Sequence, residues 1–318
     1  AGGLNPFAPT SALKRATNFF PLIYPAVDYA SVYPRHFDRA RCFITNMRTT
    51  STWTGYDRSR GQMEDEVWRH ITYGGTLVGW FGVSRAWYEN LSPTFEITER
   101  SRHIKAINEG LIDGTAKLVI QGEVAPAPVA IVLSANSLFA YPVKGVAASP
   151  DANPSALNRM YDVYRAGYVR LLDPAHIQYD YVTDEQVAQG LPENYRVVIF
   201  PRAVALSDAC VNATQAFAQR GGVVADEEFG IYNEVGVRRD ERPALSGKNV
   251  VLSGAGEDNA LARALVAGGV RSPETFTGTV SRVVRKNIGK GRLTVAFGSG
   301  DVSITFPDKA HTYDIREH

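Results

Sequence analysis

Cysteine is nearly absent from this chain of 318 residues, with Cys42 and Cys210 the only two. They lie far apart and form neither a CxxC pair nor a disulfide framework, so they leave the redox compartment open. An excess of charge is missing too. The 34 basic and 33 acidic residues give a formal net charge of +1, without a long run of either sign. Neither nucleic acid nor an anionic membrane surface is therefore indicated as a partner. No window approaches 18 uninterrupted apolar residues, and the N-terminus has no basic stretch followed by an apolar one. A soluble protein is expected, cytoplasmic or secreted. The six histidines contain no HxH or HxxxH pair, so no metal site is expected. "LSGAGEDNALARAL" (252–265) holds a lone GxG after a strand. It lacks the further glycine and matched acidic residue of a dinucleotide fingerprint, and no cofactor is expected.

What is present is ordinary in proportion and informative in order. Hydrophobic residues make up 44% and charged residues 21%, as in soluble globular proteins, and the length allows two domains with a core each. Residues 27–33 (VDYASVY) and 41–46 (RCFITN) read as short buried strands. "MRTTSTWTGYDRSRGQ" reads as a loop dense in Thr, Arg and aromatics. Met63, Val67, Trp68 and Ile71 fall at helical spacing, and Gly74 and Gly75 suit the end of that helix. Thr76 to Phe81 then reads as a buried strand and Ile97 to Leu111 as a helix with Ile104, Ile107 and Leu111 on one face. This rhythm predicts parallel βα units.

A boundary is expected near "QGEVAPAPVAIVL", where prolines precede a buried strand, Val129 to Leu133. Asn153 and Pro154 suit the start of a helix reaching Leu172. "IQYDYV" (177–182), "YRVVIFP" (195–201), "GVVAD" (222–226) and "NVVLSG" (249–254) read as strands, and Ser207 caps a helix over 208–220. The pattern predicts a doubly wound α/β sheet. From about Thr275 it changes to period 2, with turns at "NIGKG" and "GSGD", which predicts a small antiparallel β unit.

"PVAIVLSANSLFA", "NRMYDVYRAGYVRLLDPAHIQYDYVTDEQVAQG", "YRVVIFPRAVALSDACVNATQAFAQRGGVVAD" and "EEFGIYNEVGVRR" together resemble one known domain. It is the amidotransferase-like (trimerization) domain of family 42 glycoside hydrolases, the β-galactosidase group. The preceding "WTGYDRSRGQMEDEVWRHITYGGTLVGWFG" resembles the last βα units of the barrel in the same family. The resemblance implies three parts. Residues 1–122 are C-terminal βα units of a TIM-barrel-like catalytic domain. Residues 128–270 form a flavodoxin/amidotransferase-like domain, and 275–318 a small, truncated β domain. Only two or three βα units precede residue 122, set against eight in a closed barrel. We therefore expect a part of a longer protein, or one half of a split enzyme. "KAHTYDIREH" reads as stopping in mid-strand, which agrees with that expectation.

The resemblance makes Thr76 to Phe81 the final barrel strand, with Trp80 and Phe81 at its C-terminal end, the face on which barrel active sites lie. Arg48, Trp53, Tyr56, Trp80, Phe81 and Trp87 are the candidate carbohydrate-facing residues. Retaining glycosidases need two carboxyl groups about 5 to 5.5 Å apart. The family's acid/base follows an Asn on the fourth strand, and the Asn108-Glu109 and Asn233-Glu234 pairs fall on a helix and in a loop instead. Its nucleophile is expected near "CFITNMRTTSTW", which holds no Asp or Glu, leaving Asp57 as the nearest downstream candidate. Cys210 lies inside a helix and reads as a structural thiol. His176 has no evident partner, and Asp226, Glu227 and Glu228 read as a solvated loop.

Two functions follow as expectations. One is a glycoside hydrolase acting on a β-linked glycoside. The other is a non-catalytic, assembly-forming or carbohydrate-binding relative that lacks the catalytic carboxylates. The expected partners are a carbohydrate and further copies of the chain, with a trimer as first guess, or a partner chain that completes the barrel. Tyr161, Tyr164, Tyr168 and Tyr179 support association, because tyrosine is enriched at interfaces.

Overall fold

A computed structural model describes residues 51–54, 59–73, 77–80, 97–112, 114–134, 136–137, 140, 167–226, 228–247, 250–252 and 258–307. The strands expected at 27–33 and 41–46, and most of the helix expected after Pro154, lie outside these residues. Among the described residues the architecture is mixed α/β, with one antiparallel and two parallel sheets. The chain divides into two compact units: residues 1–125 with 284–297 and 306–318, and residues 126–283 with 298–305.

In the first unit, β1 (Ser51–Thr54), α1 (Arg60–Thr72) and β2 (Leu77–Trp80) form a βαβ crossover whose strands pair in parallel. Residues 51–54 were expected in a loop. The segment STWT carries two threonines and a tryptophan, types that suit a pleated backbone, and pairing with β2 makes it a strand. Helix α1 begins at a capping box: Ser59 Oγ accepts from the Gln62 N–H, and Gln62 Oε1 accepts from the Ser59 N–H. Met63, Val67 and Ile71, one turn apart, bury that helix's inner face. They meet Ile107 of α2 (Glu99–Ile112) and Ala116 and Val119 of α3 (Thr115–Gln121). Helix α3 was not anticipated. Gly114, left-handed at φ 110°, separates it from α2.

Strand β3 (Glu123–Val124) pairs antiparallel with β9 (Thr275–Ile288), which turns at residues 289–290 into β10 (Gly291–Thr305). The turn expected at "GSGD" does not form. Strand β10 runs through residues 298–301, and Gly278 lies so close to it that a Cβ there would stand 2.1 Å from the Asp301 carbonyl oxygen. Lys286 of β9 is fully buried, and its Nζ donates to the Thr72 carbonyl at the end of α1. A cation is favoured at that end of a helix dipole.

The second unit is built on a five-stranded parallel sheet in the order β5-β4-β6-β7-β8. Its strands are β4 (Val129–Leu133), β5 (Tyr179–Thr183), β6 (Val197–Phe200), β7 (Gly222–Ala225) and β8 (Val250–Leu252). This is the doubly wound order, with the chain reversing its direction of advance beside β4. Every residue of β4, β6 and β7 is buried, as expected where both faces are covered, and this explains the unbroken apolar runs of the sequence. One face packs Ala130, Val132, Val198 and Phe200 against Cys210 and Phe217 of α5 (Asp208–Phe217). Helix α6 (Asp258–Ala267) lies against β7 and β8, so close that a Cβ on Gly222 would stand 2.8 Å from the Ala264 carbonyl oxygen. The short helix α4 (Asp184–Ala188), capped by Thr183 and Gln186, follows β5 directly. No described helix is long and apolar enough to cross a membrane.

Candidate functional site

The candidate carbohydrate-facing set is described only in part. Parallel pairing places Trp53 opposite Gly79 and Thr54 opposite Trp80. The backbones of Trp53 and Trp80 thus lie at the C-terminal ends of adjacent parallel strands, the edge on which βα units collect functional side chains. Arg48, Tyr56, Asp57, Phe81 and Trp87 lie outside the described residues. Asn108 and Glu109 are on α2, and Asn233 and Glu234 are in a loop, as expected.

The second unit brings polar residues together at the same kind of edge. Ser134, Asp184, Arg202 and Asp226 each stand just beyond a buried strand. Asp184 is 4% exposed. Its Oδ2 accepts from Ser134 Oγ at 2.9 Å and Asn136 Nδ2 at 3.2 Å, and its Oδ1 from the Glu185 N–H at 3.1 Å. Ser137 Oγ lies 2.8 Å from Ser134 Oγ and 3.1 Å from the Ala205 carbonyl. Burial pushes the Asp184 carboxyl up to about 6, against the opposing effect of the Ser134 hydrogen bond.

Asp226 corrects an expectation. It does not lie in a solvated loop but is 7% exposed at the end of β7. Its Oδ1 accepts from the Glu228 N–H at 3.1 Å, while Oδ2 is buried without a hydrogen-bond partner. Burial raises this carboxyl to about 6, opposed mainly by the charge of Arg202. Arg202, left-handed at φ 49°, sets its Nη1 3.1 Å from Glu228 Oε2. Among the described residues no three His, Cys, Asp or Glu side chains are arranged to hold a metal ion.

Two further candidates are accounted for. Cys210 is buried in α5, and burial, with the charge of Asp184, pushes its thiol up to about 12, far from nucleophilic use. His176 has a partner after all. Left-handed at φ 55°, it sets its ring 4.3 Å from that of Phe276 at the start of β9. Tyr168 and Tyr179 are buried at 5% and 3% exposure, the latter edge-to-face with Tyr181. Ser134, Asn136, Ser137, Asp184 and Arg202 escaped the sequence reading. Their one signal is position, each directly after or close behind the apolar run of a strand.

No sequence family and no curated relative matches the chain, so its likenesses are structural. The fold is like that of glycoside hydrolases, and in particular of family 42 (GH42) β-galactosidases. The β-galactosidase of the psychrophilic Marinomonas ef1 superposes with a TM-score of 0.55 at 11% identity, over 89% of this chain and 59% of that one. The apo exo-carrageenase GH42 of Bacteroides ovatus gives 0.50 at 12% identity, over 84% and 42%. The β-galactosidase of Bacillus circulans sp. alkalophilus gives 0.51 at 16% identity, over 68% and 32%. The chain thus spans less than two thirds of the length of each of these structures.

Proposed function

We propose that the chain is a carbohydrate-active protein, a β-galactosidase-like glycoside hydrolase that acts on a β-linked glycoside as part of a longer or multi-chain enzyme. The observation supporting this reading is the fold likeness, which extends over 84% of the chain for the GH42 exo-carrageenase and 89% for the Marinomonas β-galactosidase. In this reading β2 is the final barrel strand, and Arg48, Trp53, Tyr56, Trp80, Phe81 and Trp87 line the sugar-facing edge. Residues 128–270 are the amidotransferase-like domain that carries contacts between subunits. Aromatic side chains suit a saccharide, because their faces cover its C–H surface while charged groups such as Arg48 hydrogen-bond its hydroxyls.

One observation favours a second reading, an assembly-forming or carbohydrate-binding relative without catalysis. Residues 42–56, where the nucleophile is expected, contain no Asp or Glu. Acid/base and nucleophile act as a unit, and losing either costs several orders of magnitude in rate. The test is to assay the purified chain on aryl β-galactosides and titrate it with galacto-oligosaccharides. We expect no turnover, and saturable binding weakened about tenfold or more by Trp80→Ala, the loss of one stacking side chain. Robust turnover abolished by Asp57→Asn would restore Asp57 as nucleophile and remove the second reading. Neither binding nor turnover would sink both.

A further inference from the structure

We propose that the hairpin at residues 231–239 is a self-association tip, through which two copies of this chain meet head-on about a two-fold axis. Its turn is tightly closed. Tyr232 and Arg238 pair antiparallel, the Asn233 N–H donates to the Val237 carbonyl at 2.9 Å, and the Gly236 N–H donates to the Asn233 carbonyl at 2.9 Å. Asn233 Oδ1 adds two bonds, accepting from the Val237 N–H at 2.8 Å and the Val235 N–H at 3.2 Å. Gly236, at φ 77°, supplies the left-handed residue that such a hairpin turn requires. The stem is fastened within its own unit. The Tyr232 N–H donates to the Val204 carbonyl and the Leu206 N–H to the Tyr232 carbonyl, while Arg239 donates to the Gly230 and Leu206 carbonyls and pairs with Asp208.

The tip carries side chains that a turn does not need. Turns favour Gly, Pro, Asn, Asp and Ser, each for a local reason that valine lacks. Val235 and Val237 are nevertheless held out in water at 76% and 59% exposure. Because the turn is already fixed by its hydrogen bonds, little order is lost when they are covered. The flanking charges indicate what covers them. Around Gly236 the order is Glu234, Val235, Gly236, Val237, Arg238, apolar inside and opposite in sign outside. Both charged residues are exposed, and neither joins an ion pair among the described residues. A two-fold axis normal to the plane of the hairpin sets Glu234 of each copy against Arg238 of the other, and Val235 against Val237. An axis within that plane sets Glu234 on Glu234 and Arg238 on Arg238, which repels. The charges therefore select one arrangement with one partner, a second copy. A tip of this size buries well under the roughly 1,200 Å² of a stable interface, so the dissociation constant should be on the order of 10⁻⁴ M. The contact would double any assembly formed elsewhere on the chain, and it rests on the hairpin alone, not on the proposed activity.

Sedimentation velocity of the whole chain at low salt, from about 10 μM to about 1 mM, brackets that constant. The mass found at the lower end should double toward the upper end. Glu234→Arg and Arg238→Glu should each abolish the doubling, weakening association about tenfold or more. An equimolar mixture of these two variants should restore it, because every pair across the axis is then opposite in sign. Replacing both valines, Val235→Ser with Val237→Ser, should abolish it whatever the charges. All four side chains are exposed, so these substitutions leave the core intact. No doubling in the unaltered chain, or doubling that survives either charge variant alone, overturns the proposal. A mixture that stays at the lower mass also overturns it, since the tip would then meet some other surface.

Discussion

Asp226 and Lys286 show how much a single buried polar group can govern. The Asp226 carboxyl is raised to about 6 in the folded chain against 3.8 ordinarily, so folding is accompanied by proton uptake between those values. Its contribution to stability is fully present below about 3.8 and is lost as pH rises through about 6. Asp226→Asn should remove that part of the pH dependence, worth up to about 3 kcal/mol between pH 4 and pH 7. Urea unfolding at the two pH values measures it, and an unchanged difference would refute the assignment. Lys286 makes a prediction of the other kind. Lys286→Met keeps most of the buried volume but takes the ammonium donor from the Thr72 carbonyl. Losing a charged hydrogen bond at a buried site should cost about 1.5 to 3 kcal/mol, read as a lower urea midpoint with an unchanged slope.

At the scale of elements, the antiparallel ribbon depends on one glycine. Gly278 has φ +87°, and a Cβ there would stand 2.1 Å from the Asp301 carbonyl. Gly278→Ala should therefore cost about 2 kcal/mol or more through strain and clash, with exchange rising first in residues 275–283 and 298–305. Much of the element order was legible beforehand. The runs VAIVL, VVIF and GVVA could only be strands buried on both faces, and Ser207 and Asp208 marked the start of α5 as clearly as any helix start does. Strand β1 escaped notice because STWT has no apolar run and acquires its conformation from pairing with β2. The unbroken β10 escaped because Gly298 and Gly300 imitate a turn, whereas Gly298 serves close packing, with a Cβ there only 2.6 Å from the Thr279 carbonyl. The polar edge of the second unit was least legible. Ser134, Asp184 and Ala205 converge only once the parallel sheet sets three strand ends side by side, and no local pattern encodes that.

For the whole molecule, the proposed assembly rests on the likeness to glycoside hydrolase structures, because Tyr168 and Tyr179 are buried within this chain rather than exposed. Light scattering at micromolar concentration should give the mass of a homo-oligomer, with a trimer as the first expectation, and a strictly monomeric mass would count against it. The division of the chain has a further consequence, one of timing. The first unit is discontinuous: residues 284–297 belong to it, yet the segment 126–283 of the second unit intervenes. The Lys286 ammonium and the carbonyl it meets are 214 residues apart in sequence. Closing so long a loop of random chain costs roughly 5 kcal/mol in entropy, a barrier that falls once the intervening parallel sheet has folded. Growing from its N-terminus, the polypeptide holds α1 and β3 waiting for partners that emerge only after the second unit's strands have been made. Refolding should accordingly show the sheet of the second unit gaining protection before α1 does, with Lys286→Met slowing only the later event.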